Sequence, residues 1–397
     1  MTEAETHSLW TKDYLRAWSC NFLIFFAFMM VTPLLPLYMK DSFGADKHLI
    51  GMVLSGYTLT ALVSRSIGGF LVDSLPRKLV LTVSWIGFSL FFAGYYITTS
   101  LALFAIVRTL HGIPFATTCV SNSTVAIDVT HPTRRAEGIG LYGLSNNLST
   151  AIAPMVGLYI YEVWHSFDLI FGLALGSALL GTLLASTINL RKRDIVPNRK
   201  PISLDRFFLI KGWSQGVCIA CFATAYGVLA TYLAIYCKEQ MGNASVSGNF
   251  FLIIALGLMC SRLIGSRTLR QGKIVENATF GVAFSVLGYG SFALWHNEWS
   301  CYACAVIVGL GNGHMFPAFS NMFVNLAPSN QRGTANATLL TMWDVGMGLG
   351  IVLGGFLAEH YGYEWAFYLS AFAQFFGMLF YFALAKGRYI KQRLTEH

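Results

Sequence analysis

Twelve apolar stretches of about 20 residues or more divide this chain. They lie at residues 17–39, 49–71, 78–98, 101–126, 136–160 and 168–190, then at 208–236, 247–268, 275–295, 299–325, 334–358 and 365–385. About 20 apolar residues in helical geometry cross the ~30 Å hydrocarbon core of a bilayer. The pattern therefore predicts an all-α polytopic membrane protein with twelve transmembrane helices, six plus six. The first run is longer than the ~7–15 residues of a secretory signal core, so it is expected to remain as a span. Between the sixth and seventh runs, Arg191 to Arg206 combines a basic stretch with two prolines and reads as a solvated linker. The expected organisation is a bundle over residues 1–190, a basic linker over 191–207 and a second bundle over 208–397.

Composition narrows the class. Of 397 residues, 55% are hydrophobic and only 12% are charged, against roughly 25% charged in a soluble domain. A dozen spans use nearly all the length, leaving no room for a large extramembrane domain. The eight cysteines fall mostly inside apolar runs (Cys20, Cys119, Cys218, Cys221, Cys260), where they act as small hydrophobes, so no disulfide framework is expected.

The basic residues orient the chain. If the N-terminus is cytoplasmic, 21 of the 27 Lys and Arg fall in cytoplasmic segments, three (Lys40, Lys47, Lys238) fall outside, and three lie within spans. That asymmetry predicts both termini on the cytoplasmic side of the cell's inner membrane. The net charge of +8 then sits where anionic lipid attracts it, and no nucleic-acid partner is implied.

The two sets of runs are copies. Ser64-Arg65-Ser66-Ile67-Gly68 near the end of the second run recurs 197 residues later as Ser261-Arg262-Leu263-Ile264-Gly265, and the same offset relates Arg135 to Arg332 and Gly112 to Gly309. Parallel six-helix copies related by a pseudo-two-fold axis along the membrane normal are one of the transporter plans, with the substrate cavity near the bilayer midplane.

After the second run stands Gly69-Phe-Leu-Val-Asp73-Ser-Leu-Pro-Arg77-Lys78. It resembles the cytoplasmic loop signature of the major facilitator superfamily, with Ser74 in place of a basic residue and Pro76 in place of glycine. Gly69 permits close helix approach, and Asp73 can accept hydrogen bonds from a helix N-terminus and pair with a loop arginine. The resemblance implies a cytoplasmic gate, to which Arg65, Arg262, Asp128, Arg135 and Arg332 are added because they lie near the same membrane face. Arg108-Thr-Leu-His111-Gly112 in the fourth run is similar to the family's Arg-x-x-Gln-Gly signature, with histidine in the glutamine position. An arginine this deep costs ~2.5 kcal/mol or more, so it is expected to face a cavity. His111, three residues on, is expected to share its face, and an unperturbed imidazole titrates near neutrality where glutamine cannot.

Pro33-Leu-Leu-Pro36 in the first run and Ser149-x-x-x-Ala153-Pro154-x-x-Gly157 in the fifth resemble hinge signatures of twelve-helix exporters, the second with three glycines replaced. In the eleventh run Asp344 is the one acid well inside a span, about 16 Å deep at 1.5 Å per residue from Gly333, and an intramembrane carboxylate points to function by default. Asp344, Arg108 and His111 form the expected proton-coupling set. The expected cavity residues are Asn21, Phe28, Asn146, Asn147, Tyr226, Tyr232, Asn312, His314 and Phe316.

Cys218-Ile-Ala-Cys221 and Cys301-Tyr-Ala-Cys304 have zinc-like spacing but lie at different depths, so no metal site is expected. Gly309-Leu-Gly-Asn-Gly313 has no preceding strand and is not a phosphate cradle. With no nucleotide loop and no grouping of nucleophile, base and orienting residue, the chain reads as a cofactor-free secondary transporter rather than an enzyme, acting as a monomer on a small molecule with protons as partner. Proton-coupled efflux of an amphipathic compound or metabolite is the favoured reading. Proton-coupled nutrient uptake and a non-transporting receptor of the same fold are the alternatives.

Overall fold

Inside hydrocarbon a crossing segment has no water to bond its backbone, and a helix satisfies every N–H and C=O internally. The computed structural model describes residues 8–45, 47–190, 204–242, 245–295 and 297–393, and over these the apolar runs become twelve long helices. The first six are α1 Lys12–Phe43, α2 Lys47–Ser74, α3 Arg77–Gly94, α4 Leu101–Asp128, α5 Arg135–Trp164 and α6 Phe167–Thr187. The second six are α7 Trp213–Glu239, α8 Ser245–Arg270, α9 Ile274–Leu294, α10 Glu298–Leu326, α11 Arg332–Tyr361 and α12 Tyr363–Gln392. No strand occurs among the described residues. Most of the expected linker, residues 191–203, lies outside the described residues, and Leu204–Arg206 forms a 3-10 turn.

Among the described residues, nine of these helices are apolar and long enough to cross a membrane. The other three, α2, α5 and α9, have 28, 30 and 21 residues, which at ~1.5 Å per residue is enough to span hydrocarbon. Helix ends carry local signals. The side chains of Ser100, Ser166 and Asn297 accept the backbone N–H of Leu103, Leu169 and Ser300 at 3.3, 3.3 and 2.9 Å, the capping that satisfies an orphan donor. Gly362, at φ 97, turns α11 into α12 in a conformation that a side chain rarely adopts. In α1, Pro33 sits in a 3-10 turn, Thr32–Leu34, and Pro36 opens the helical segment after it, because each proline removes a backbone donor.

The helices pack into two compact units. The first holds the described residues within 1–138, 144–208 and 330–337; the second holds those within 139–143, 209–329 and 338–397. In the first, α4 packs on α2 and α3, and α6 on α1 and α3. In the second, α10 packs on α8 and α9, and α12 on α7 and α9. This is the same scheme shifted by six helices, as the repeat predicts. The matched glycines occupy matched crossings. A Cβ on Gly112 would lie 2.6 Å from the Tyr57 carbonyl oxygen, and one on Gly309 would lie 2.7 Å from that of Ile254. Small residues there let backbones touch.

Candidate functional site

Three groups of side chains carry the polar chemistry, two in the first unit and one in the second.

At the end of α2, Asp73 caps the start of α11. Its Oδ1 accepts the backbone N–H of Gly333 at 2.9 Å, and its Oδ2 accepts the N–H and hydroxyl of Thr334, both at 2.8 Å. A carboxylate suits this place because the first N–H groups of a helix have no intrahelical acceptor and carry the positive end of its dipole. Burial raises the Asp73 carboxyl above its ordinary value of 3.8, against the pull of the Thr334 and Gly333 donors and the Arg77 charge. Gly69, one turn earlier, gives the room: a Cβ there would lie 2.9 Å from the Gly333 carbonyl oxygen and 3.1 Å from Thr334 Cα. Arg77 approaches Asp73 at 3.6 Å and pairs closely with Asp128, which also holds Arg332 at 3.2 Å. The result is a chain of alternating charge, Asp73, Arg77, Asp128, Arg332. Lys78 takes a separate role, its ammonium donating to the carbonyls of Ala185, Ser186 and Ile188 at 2.9, 2.6 and 2.6 Å at the end of α6. Arg135 begins α5, and the preceding Arg134, its N-cap residue, pairs with Glu137 of the first turn at 2.7 Å.

The second group lies in the interior of the same unit. Arg108, 2% exposed, places its guanidinium carbon 4.0 Å from the Tyr57 ring centre and 5.2 Å from that of Phe28, and donates from Nη1 to the Tyr95 hydroxyl at 3.0 Å. A guanidinium can only donate, so the Tyr95 proton is left for His111 Nδ1, 2.8 Å away. That assigns the His111 proton to Nε2. His111 is fully buried, with its ring against Phe88, Phe91 and Phe92 of α3. Arg108 and His111 thus meet through one phenol, as their spacing permits, with the imidazole turned toward α3. Among the described residues Arg108 forms no ion pair, and its Nε and the Tyr57 hydroxyl have no hydrogen-bond partner. A ring contact is worth ~2 kcal/mol when desolvated, against the ~2.5 kcal/mol or more that a mid-span arginine costs.

The third group is in the second unit. Asp344, half-buried on α11, follows Trp343, whose ring centre lies 5.2 Å from Phe316 and 5.8 Å from Tyr226. Asp344 stands 197 residues after Asn147, its counterpart in the first copy. The remaining expected cavity residues divide. Tyr232 donates to the Ile351 carbonyl at 2.6 Å and ties α7 to α11. Asn312 accepts from Ser285 at 2.9 Å and donates to the Tyr289 hydroxyl at 3.3 Å, so it is spent on α9. His314 bonds closely with Ser261 of α8. In the first unit Asn21 donates to Ser145 at 2.8 Å, while Asn146 and Asn147 are half-buried on α5. Gly157 of α5 lies directly against the α1 backbone at Met30, and Pro154 is inside α5.

The paired arginines of the repeat are both buried. Arg65 is on α2; Arg262, on α8, donates to the Gly140 carbonyl at 3.1 Å, where a Cβ on Gly143 would fall 2.9 Å from its Nη2. Asp128 is engaged by Arg77 and Arg332. Sequence reasoning missed Tyr57, Tyr95, Trp343 and Thr334. The available signal was slight: a tyrosine in the run before an intramembrane arginine, and an aromatic next to an intramembrane acid.

Comparison with known proteins fits this geometry. Two curated relatives from Staphylococcus aureus are each 21% identical. One is a quinolone resistance protein, NorA, aligned over 85% of this chain and 88% of its own; the other is a staphylopine export protein, aligned over 89% and 91%. Among solved structures, the human organic anion transporter MFSD10 superposes with a TM-score of 0.77 over 93% of this chain and 98% of that one, at 16% identity. The sequence model of the Major Facilitator Superfamily matches residues 17–279 and 277–396. With two six-helix bundles and matches that run nearly end to end, this multi-pass membrane chain belongs to the Major Facilitator Superfamily and is a transporter, not an enzyme.

Proposed function

We propose that the chain exports a small amphipathic compound or metabolite in exchange for protons, by alternating access of its two sextets in the cell's inner membrane, as a monomer with both termini cytoplasmic. The observation that carries this reading is the Asp73 cap with its charged neighbours. It consists of a few hydrogen bonds and ion pairs, formed and released at a cost of a few kcal/mol, the scale needed to exchange two conformations. In this reading Asp73, Arg77, Asp128 and Arg332 are the cytoplasmic gate, with Gly69 giving close approach and Arg65, Arg135 and Arg262 supporting the adjacent helix starts. Asp344 carries the proton beside Trp343, Tyr226 and Phe316 of the second unit. Arg108 is held in place by Tyr95, which His111 bonds in turn. The names of the staphylococcal relatives, a resistance protein and an export protein, support the outward direction.

One observation favours uptake by symport as the second reading. Ser149 stands at a glycine position of the exporter signature and donates to the Phe22 carbonyl at 3.0 Å, tying α5 to α1 where glycine would leave the helices free to slide. Proteoliposomes with an internal pH dye separate the readings when drugs, metabolites and metal chelates are added in turn. Protons moving opposite to the compound mean antiport, and protons moving with it mean symport. Binding without exchange of labelled compound across the bilayer means a receptor.

A further inference from the structure

Among the described residues Arg108 is a buried cation without a counter-charge, and it sits beside a hydroxyl that has no hydrogen-bond partner. The residue is 2% exposed and its guanidinium lies over the Tyr57 ring, with Phe28 stacked on Tyr57 at 5.2 Å and on Phe115 at 4.4 Å. Within this enclosure Tyr95 takes one guanidinium proton, while Arg108 Nε and the Tyr57 hydroxyl, itself 6% exposed, have no partner among the described residues. Buried polar groups in native proteins are nearly always bonded, and unsatisfied ones need an explanation. The Arg108 N–H can only donate, the Tyr57 hydroxyl can donate as well as accept, and the local charge is positive. What satisfies them together is an oxyanion.

We infer that the transported compound carries a carboxylate or other oxyanionic group, and that Arg108 and the Tyr57 hydroxyl recognise it, with its apolar part against Phe28 and Phe115. Tyr95 and His111 act as positioning residues. His111 occupies the Tyr95 proton, which aims the phenol oxygen at Arg108 Nη1 and leaves the rest of the guanidinium fork for the ligand. The inference rests on the transporter reading above, and it goes further by naming the substrate's charge. A neutral or cationic compound of the same shape leaves the donors unpaired, the situation in which a polar site discriminates most strongly.

The test uses full-length protein in nanodiscs of phosphatidylcholine, which has no net charge, so that an anionic headgroup cannot act as the ligand. The probes are matched acids, primary amides and amines built on benzene, naphthalene and indole rings, and binding is read from tryptophan fluorescence. For at least one ring the acid is expected to bind tenfold or more tightly than its amide and amine. Arg108→Gln is expected to abolish that preference. Tyr57→Phe, which keeps the ring beneath the guanidinium and removes only the hydroxyl, is expected to weaken acid binding about tenfold, as for one hydrogen bond to a charged group. Arg108→Lys, which keeps the charge but not the fork, should retain part of the preference and controls for loss of folding. Adding anionic lipid to the nanodiscs should leave acid binding unchanged. Competition by the added lipid would make a headgroup the natural occupant and overturn the inference. So would the absence of acid preference in every ring series, or its survival in folded Arg108→Gln protein. Counterflow in proteoliposomes separates the two readings. Acid binding without exchange sinks the transporter reading alone, and exchange of amides or amines with no acid preference sinks this inference alone.

Discussion

The Asp73 carboxylate accepts the backbone N–H of Thr334, 261 residues further along the chain, at 2.8 Å. One acidic side chain at the end of α2 thereby serves as the N-terminal cap of α11. Losing such a cap costs ~1 kcal/mol, rising to ~2 kcal/mol in favourable cases. Asp73→Asn, which keeps one acceptor oxygen and puts an amide nitrogen where the other accepts both Thr334 donors, is therefore expected to lower the unfolding midpoint of the purified protein by a few degrees. Asp73→Ala should lower it further. An unchanged midpoint in both would mean that the cap adds nothing to stability.

The pH dependence of this cap has a defined sign. Burial raises the Asp73 carboxyl above 3.8 in the folded protein, so the folded state binds the proton more tightly than the unfolded chain. The contribution linked to Asp73 is fully present below the unfolded value and is lost as pH rises through the raised one. Thermal midpoints of wild type and Asp73→Asn, compared across the acid range, should show the wild type losing ground to the variant as pH rises through that window. A difference that grows in the wild type's favour would mean that the hydrogen bonds to the ionised form outweigh burial.

Gly69→Ala tests the close approach directly. The added Cβ would lie 2.9 Å from the Gly333 carbonyl oxygen, so the helices must shift. Such overpacking costs ~1–3 kcal/mol. Transport rate should fall together with the thermal midpoint, and a variant as stable and active as wild type would show that α2 has slack at this point.

His111 distinguishes proton carriage from positioning. Glutamine can accept the Tyr95 proton through its amide oxygen but does not titrate. If His111 positions Tyr95, His111→Gln should transport with a near-normal pH profile, while His111→Leu and Tyr95→Phe should lose activity. A flattened pH profile in His111→Gln would instead make the imidazole part of the proton route.

Asp344→Asn addresses the carboxylate itself. Under the antiport reading the variant should still exchange labelled compound in counterflow, which needs no net proton movement, yet fail to couple transport to an imposed pH gradient. Retention of gradient-driven transport would remove Asp344 from the coupling mechanism.

The sequence by itself determined the class of the molecule. Runs of apolar residues long enough to cross a bilayer leave the backbone little choice but helix, and the 197-residue offset that joins Ser64-Arg65 to Ser261-Arg262 required a duplicated sextet. The loop pattern of Gly69, Asp73 and Arg77 even gave the chemistry of the cap, because a carboxylate beside a membrane helix end has few partners. Only the tertiary structure decided which partners those were. Gly333, Thr334 and Arg332 are more than 200 residues from the acids they bond, and no local pattern encodes a contact of that separation. It also decided that His111 turns toward α3, that Asn312 is spent on α9 and that Tyr57 and Tyr95 flank Arg108. α4 and α10 are buried by neighbours on most sides and carry no polar stripe to reveal their orientation. Packing alone sets which way each of their polar side chains points.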